Sequence, residues 1–83
     1  MPTTHPSVDD MQRTISELVT AAMSAAGLSV SDLATRTGIP RATLARKLAS
    51  GSFRMGELGK VADVLGRRPS DWFRIAEELV TQH

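Results

Sequence analysis

The stretch that decides the fold reads SVSDLATRTGIPRATLARKLASG and covers residues 29–51 of the 83-residue chain. Ser29 is followed three residues later by Asp32, a pairing that is typical of a capped helix start. A short helix is therefore predicted over about residues 30–37. Gly38 then supplies a left-handed turn residue, a conformation that glycine adopts at low cost, so the chain should turn sharply there.

A second helix is predicted over about residues 40–50. Pro40 suits its first turn, because the N–H that proline lacks has no helical partner at that position. Leu44 and Leu48 lie one turn apart and should point into the core, where they fix the rotation of the helix. The opposite face of this helix carries Ala42, Arg46 and Ala49.

The spacing within the stretch predicts how the two helices meet. Ala34 is small at the position where they should cross, since a larger side chain would push them apart. Gly38 follows four residues later, and Leu44 follows six residues after that. A small residue, a turn glycine and an aliphatic anchor at this spacing predict a helix-turn-helix, formed by helices 2 and 3 of the chain.

Three further helices are predicted outside the helix-turn-helix. Periodic apolar residues predict the first helix over about residues 8–26, after a start signal at Ser7 and Asp10. The fourth helix is predicted to end at Gly66. The fifth is predicted over about residues 71–81, after a cap formed by Pro69 and Ser70. The sequence contains no strand pattern. The predicted architecture is all-α, a compact five-helix domain over residues 8–83 that follows a disordered tail at residues 1–7.

The predicted fourth helix contains two glycines, Gly56 and Gly59. Each costs about 1 kcal/mol relative to alanine in a helix interior. Either a neighbouring backbone approaches closely at these positions, or packing alone holds the helix. The sequence leaves both explanations open.

Positive charge is concentrated in the middle of the chain. The formal net charge is only +1, but residues 29–54 carry five basic residues against Asp32 alone. The segments on either side are each net negative. This localisation favours a polyanionic partner for the middle segment.

Composition excludes several classes of protein. The chain has no cysteine, which rules out disulfide scaffolds and thiolate metal sites. No apolar run approaches the roughly 20 residues of a membrane span, and the polar start is unlike a signal peptide, so a soluble cytoplasmic protein with no membrane partner is expected.

Candidate catalytic and metal-binding groups are equally sparse. His5 and His83 have no partner at metal-ligand spacing, and neither a nucleophile–base set nor a phosphate-binding glycine loop occurs in the sequence. We therefore expect no enzyme activity, no metal, no cofactor and no small-molecule ligand.

From the first helix onwards, the sequence resembles the phage repressor and Cro-like family, also called the xenobiotic-response-element type, over about residues 10–80. The family's alanine, turn glycine and following aliphatic residue correspond to Ala34, Gly38 and Leu44. Its fourth and fifth helices resemble Glu57-Leu58, Ala62, Leu65-Gly66 and Asp71-Trp72-Phe73. The run from Thr43 to Leu48, with Phe53 and Glu57-Leu58, looks like the actinobacterial and actinophage branch.

The resemblance implies a lambda-repressor-like fold and a function. Members of the family bind double-stranded operator DNA in a sequence-specific manner and regulate transcription, most simply as repressors of the phage immunity or Cro-like kind that exclude polymerase. One residue departs from the family pattern. Many members have an aliphatic residue or tryptophan where Lys47 stands.

Helix 3 is expected to enter the major groove. Its small residues allow a close approach to base edges, and arginine can bond guanine in a bidentate manner. Base readout is accordingly assigned to Arg41, Ala42 and Arg46. Groups around this helix should contact phosphates and set its register, namely Ser29, Ser31, Arg36, Thr43, Lys47, Ser52 and Arg54.

The predicted fifth helix carries a wide apolar stripe of Trp72, Phe73, Ile75, Leu79 and Val80. Such a stripe is more often core than interface, but it leaves Trp72, Ile75 and Leu79 as a possible homodimer interface. Two other functions stay open. One is an antitoxin-like or adaptor module that binds protein through this stripe, and the other is an excisionase-like architectural DNA-binding protein.

Overall fold

Five helices make up the part of the chain that the computed structural model describes, which is the backbone of residues 8–81 and the side chains of residues 9–79. They are α1 (Val8–Ala26), α2 (Val30–Thr37), α3 (Arg41–Ser50), α4 (Met55–Val64) and α5 (Pro69–Thr81). No strand occurs within residues 8–81, so the predicted all-α architecture is confirmed. The predicted tail at residues 1–7, with Ser7 and His5, lies outside the described residues, as do His83 and the side chain of Val80.

Two helices begin one or two residues away from their predicted starts, both next to a proline. Pro40 has φ −55° and ψ 138°, an extended conformation that makes it the N-cap of α3 rather than its first residue. Pro69 is the first residue of α5 rather than part of its cap. The fixed φ of proline and its missing N–H suit that first helical position.

Both ends of α2 have the structure that the local sequence signals predict. The Ser29 hydroxyl accepts the Asp32 backbone N–H over 3.1 Å, and the Asp32 carboxylate accepts the Ser29 N–H over 3.0 Å. At the other end, Gly38 has φ 78° and donates its N–H to the Ala34 carbonyl oxygen over 2.9 Å. The predicted capping box and left-handed glycine are both confirmed.

The core draws on every helix. Its fully buried large side chains are Val19 of α1, Leu33 of α2, Leu44 of α3, and Leu58 and Val61 of α4. α5 adds Trp72 and Ala76. α1 packs against α3 and α5, α2 packs against α3 and α4, and α4 packs against α5. Burying one such aliphatic side chain contributes about 1.5 to 3 kcal/mol, so packing rather than intrinsic propensity holds these short helices in place.

The C-terminal end of α3 lies directly against α1. The Ser16 hydroxyl donates to the Leu48 carbonyl oxygen, which belongs to the last turn of α3, where carbonyls lack helical donors. Gly51 ends the helix at φ 73°, and a Cβ at this residue would lie 1.8 Å from the backbone oxygen of Gln12. Glycine is therefore needed at this position both for its conformation and for its lack of a side chain.

The two glycines of α4 do not have this second role. A Cβ at Gly56 or Gly59 would have nothing within 4 Å. A close backbone approach therefore does not explain them. α4 is held by the burial of Leu58, Val61 and Ala62.

Within residues 8–81, no single helix is long and apolar enough to cross a membrane. The segments 9–26 and 30–37 reach the necessary length and composition only when taken together, and they are bent by 97° relative to each other.

Replacing Gly51 by alanine should destabilise the fold far more than the same change at Gly38. A positive φ costs a side chain about 1 to 2 kcal/mol, and both glycines have one. Only at Gly51 would the new Cβ also meet a backbone atom. We expect Gly38→Ala to lower the free energy of unfolding by about 1 to 2 kcal/mol, and Gly51→Ala by about 3 kcal/mol or more. Urea denaturation measures both values, and equal losses would contradict the contact with Gln12.

Candidate nucleic-acid interface

The exposed face of α3 is set by two buried leucines on its opposite side. Leu44 and Leu48 are 0% and 8% exposed. Arg46 lies two residues from each of them and therefore about 160° round the helix from both. Ala42 and Ala49, within about 60° of Arg46, are exposed on the same side. The packing of the two leucines thus points Arg46 directly away from the core.

Arg41 occupies a different side of α3. It is five residues from Arg46, about 140° round the helix. Its Nε donates to the Ser31 hydroxyl oxygen over 2.9 Å, which joins the first turns of α2 and α3. Of the three predicted base readers, the structure brings Ala42 and Arg46 together and ties Arg41 to α2.

Three of the predicted phosphate contacts are exposed around α3. Arg36 lies in the last turn of α2, Ser52 lies in the loop after α3, and Arg54 precedes α4. The Ser52 hydroxyl is 2.6 Å from that of Ser50 at the end of α3. Thr43, a fourth candidate, is half-buried.

Two other predicted phosphate contacts have partners within the protein. The Ser29 hydroxyl donates to the Asp32 carboxylate over 2.9 Å while it accepts the Asp32 N–H, so the α2 cap occupies it. The Ser31 hydroxyl oxygen accepts from Arg41. An anion that approaches the start of α2 would therefore meet the Arg41 guanidinium beside Ser31.

Lys47 has an acidic partner within the protein. Its side chain is only 13% exposed, and its ammonium group forms an ion pair of 2.5 Å with Glu57 of α4. The Lys47 ammonium group is therefore already paired within the protein, and its contact with a phosphate stays a prediction. The position where many family members have an apolar residue faces α4, and here an ion pair replaces the apolar contact.

Glu57 also organises the loop after α3. The carboxylate oxygen that accepts from Lys47 also accepts the backbone N–H of Arg54 over 2.9 Å. These two hydrogen bonds hold the pKa of Glu57 below its ordinary value, and the bond from Lys47 has the larger effect. In the same way, the Ser29 N–H and hydroxyl lower the pKa of Asp32. Both side chains therefore favour the charged carboxylate, which is the form that accepts the backbone N–H at the start of α4 and of α2.

The predicted dimer residues of α5 divide between core and surface. Trp72 is 4% exposed and packs in the core, which leaves little of its side chain for a partner. Ile75 is half-buried and Leu79 is 46% exposed, which leaves these two at the surface.

Among the described residues, no group of three His, Cys, Asp or Glu side chains is placed to hold a metal ion. One surface hollow of about 310 Å³ lies between α1 and α5. Its lining is mostly apolar and consists of Leu18, Ala21, Ala22, Ala25, Arg67, Trp72 and Ile75. The hollow is open and lacks convergent polar groups, which small-molecule sites require.

Three residues that position α3 were missed by sequence reasoning. Ser16 and Gln12 contact the end of α3 from far along the chain, and no local pattern indicates such a contact. Glu57 did carry a local signal, because an acid at the third position of a helix is typical of a capped start. It lies outside the basic segment, so its effect on the charge of Lys47 was not foreseen.

Comparison with known proteins identifies the family of the chain. A family model described as a Cro/C1-type HTH DNA-binding domain matches residues 12–78, which run from α1 into α5 and include the whole helix-turn-helix. No curated protein and no solved structure matches the chain. The match confirms the family that the sequence resembles and does not distinguish a phage or actinobacterial branch.

Glu57 should contribute stability that is lost in acid. Because its pKa is lowered on folding, this contribution is complete above its ordinary pKa of 4.5 and declines as the pH falls from there through the folded value. We expect Glu57→Gln to lower the free energy of unfolding at neutral pH and to flatten its decline below about pH 4.5. Urea unfolding at a series of pH values measures this.

The control is Glu17→Gln, at an exposed glutamate of α1. It should leave the pH profile close to that of the wild type. A wild-type profile in Glu57→Gln would show that the ion pair and the loop contact contribute nothing to the folded state.

Proposed function

The chain belongs to the Cro/C1-type helix-turn-helix DNA-binding domains, and from that premise we propose that it is a transcriptional repressor that binds an operator with α3 in the major groove. The observation that carries the proposal is the exposed face of α3, where Arg46 points away from a core of buried leucines. A helix-turn-helix regulator needs a rigid helix that presents a few hydrogen-bond donors at base edges. α3 has this form.

Base readout in this proposal is divided along α3. Arg46, at the centre of the exposed face, donates two hydrogen bonds to the O6 and N7 atoms of a guanine. Ala42 lies on the same face and contacts bases through its methyl group. Arg41 reaches the groove from the N-terminal end of α3, where its bond to Ser31 limits the directions that the guanidinium can take.

Phosphate contacts come from exposed groups around α3. Arg36 and Arg54 supply charge, and Ser31 and Thr43 supply hydroxyl donors, while the Ser52 hydroxyl donates to a phosphate in place of its bond to Ser50. Such contacts set the register of the protein on the duplex and give most of the sequence-independent affinity. Their loss should therefore weaken binding to every sequence alike.

Repression is the simplest regulatory outcome for a domain of this kind. Occupying an operator that overlaps a promoter blocks polymerase without any further activity, so no enzyme function is needed. We propose a repressor of the phage immunity or Cro-like kind on these grounds.

We also propose that the protein pairs as a homodimer through α5. Ile75 and Leu79 are two apolar residues of α5 that remain accessible, and the hollow that Ile75 lines continues over Ala21 and Ala25 of α1. A two-fold arrangement of this surface would place two copies of α3 on one side of the DNA and predicts a palindromic operator.

Replacing Arg46 and Arg54 should separate base readout from phosphate contact. Arg46→Ala should weaken binding to the specific site by about 1 to 3 kcal/mol and relax the preference for guanine at one position. Arg54→Ala should weaken binding to specific and non-specific duplexes alike and reduce the salt slope by about 1. Arg74→Ala on α5 is the matched control and should change neither the specific affinity nor the salt slope.

Titrations at several salt concentrations give the specific affinity and the salt slope of each variant. Unchanged specific binding by Arg46→Ala would contradict its assignment as a base reader.

Selection of bound sequences from random duplex DNA, with the mass of the protein measured in solution, tests the function and the assembly together. We expect one enriched motif whose binding is salt-dependent, and a palindrome with half-sites about 34 Å apart if the dimer forms. A selected site placed over a promoter should lower transcription. If no duplex binds even at low salt, the proposal fails and a protein-interaction module is favoured, whereas bending of several adjacent sites would favour an architectural role.

A further inference from the structure

The outward face of α3 combines one cation with methyl groups. Arg46 lies at its centre, Ala42 lies four residues before it, and Ala49 lies three residues after it. Both alanines are exposed. They would be buried in the core if α3 were rotated about its own axis. Leu44 and Leu48 prevent that rotation, because both are buried on the opposite side. Along the helix axis, the fold therefore holds one methyl group before the Arg46 guanidinium and one after it.

Three polar residues near this face, Ser50, Ser52 and Lys47, are engaged with the protein. The Ser50 hydroxyl donates to the Arg46 carbonyl oxygen over 3.1 Å and lies 2.6 Å from the Ser52 hydroxyl. Lys47 is paired with Glu57. Arg46 is thus the charged donor at the centre of the face. The exposed methyl groups of Ala42 and Ala49 lie on one side of it, and the half-buried Thr43 lies about 60° round the helix on the other.

Building on the proposed DNA-binding function, we infer that α3 recognises a guanine that has pyrimidines with C5 methyl groups on both sides. Arg46 bonds the O6 and N7 atoms of the guanine. Ala42 and Ala49 each pack against a C5 methyl group, which projects into the major groove from thymine and from 5-methylcytosine. The specificity residues of this chain then include Ala49 and Ala42 together with Arg46.

The spacing of the three residues fits consecutive base pairs. The helical rise of about 1.5 Å per residue puts Ala42 about 6 Å and Ala49 about 4.5 Å along the axis from Arg46. A base pair of B-DNA occupies about 3.4 Å of its axis. The methyl contacts should therefore fall one or two base pairs from the guanine, one on each side.

Alanine is well suited to this contact because it excludes the alternatives. A methyl group can neither donate nor accept a hydrogen bond, so it offers nothing to the amino group of cytosine or adenine. Being short, it also lets the helix lie close to the base edges. A pyrimidine without its C5 methyl would leave a gap below the alanine, and that gap forfeits apolar burial.

The test uses the full chain and the duplex obtained by selection, with each thymine near the guanine replaced in turn by uracil. Uracil keeps every hydrogen-bonding group of thymine and lacks only the C5 methyl. Losing one buried methyl should weaken binding about three- to five-fold at one position on each side of the guanine. Where a cytosine is placed at such a position, its methylation to 5-methylcytosine should strengthen binding by a similar factor.

Variants of the protein then assign each methyl to its partner. Ala42→Gly should lose the thymine-to-uracil ratio at one position, and Ala49→Gly should lose it at the other. Taking ratios within one variant cancels the cost of glycine to the helix. Ala45→Gly, about 100° round the helix from Arg46, pays the same helical cost and should keep both ratios.

The outcomes separate this inference from the function on which it is based. If no duplex binds, the proposed function fails. If the selected duplex binds tightly but uracil changes nothing, or if the selected site has no methyl-bearing pyrimidine within two base pairs of a guanine, the inference is overturned while the function stands. A ratio lost only in Ala45→Gly would overturn the assignment to Ala42 and Ala49.

Discussion

The position of α3 depends on a contact between two backbones. Gly51 ends the helix against the carbonyl of Gln12, and the Ser16 hydroxyl bonds the Leu48 carbonyl one turn earlier. A contact through side chains can adjust by changing rotamers, whereas backbone against backbone leaves no such freedom. α1 also packs against α5, so one helix fixes both the recognition helix and the last helix of the bundle. The direction in which Arg46 points is therefore determined mainly by contacts within the protein.

The ion pair between Lys47 and Glu57 acts on the same end of α3 from the side of α4. Its two side chains are 13% and 23% exposed, and ion pairs that solvent reaches contribute little to stability by themselves. The ion pair has a larger effect on the charge that α3 presents to a nucleic acid than on the stability of the fold. A free lysine in α3 would attract phosphates of any sequence, and such attraction raises non-specific binding. By pairing with Lys47, Glu57 holds the loop to Arg54 and leaves Arg46 as the charged group at the centre of the exposed face.

Sequence reasoning succeeded where the physical cause is local. The Ser29–Asp32 cap, the turn at Gly38 and the burial of Leu44 and Leu48 all follow from patterns within a few residues, and the structure confirms them. It failed where the cause lies elsewhere in the chain.

The contact of Ser16 with Leu48 joins residues 32 positions apart, and no periodicity within one helix indicates it. Lys47 illustrates the same limit, because its helix alone suggests a solvent-exposed cation and only the neighbouring helix supplies its acid. Arg41 and Arg46 looked equivalent as arginines of one short helix. The bond of Arg41 to Ser31 and the angle between the two residues distinguish them.

The burial of Trp72 bears on how strong an interface α5 can provide. Its indole was the largest apolar group available to a partner, and the core uses it. Of the three predicted interface residues, Ile75 and Leu79 remain accessible. They form a small apolar surface, and small surfaces give weak association. Two copies bound to adjoining half-sites would meet at a high effective concentration, so a weak contact can still favour paired binding. In the proposed dimer, therefore, the DNA contributes most of the assembly, and α5 mainly selects the spacing and orientation of the half-sites.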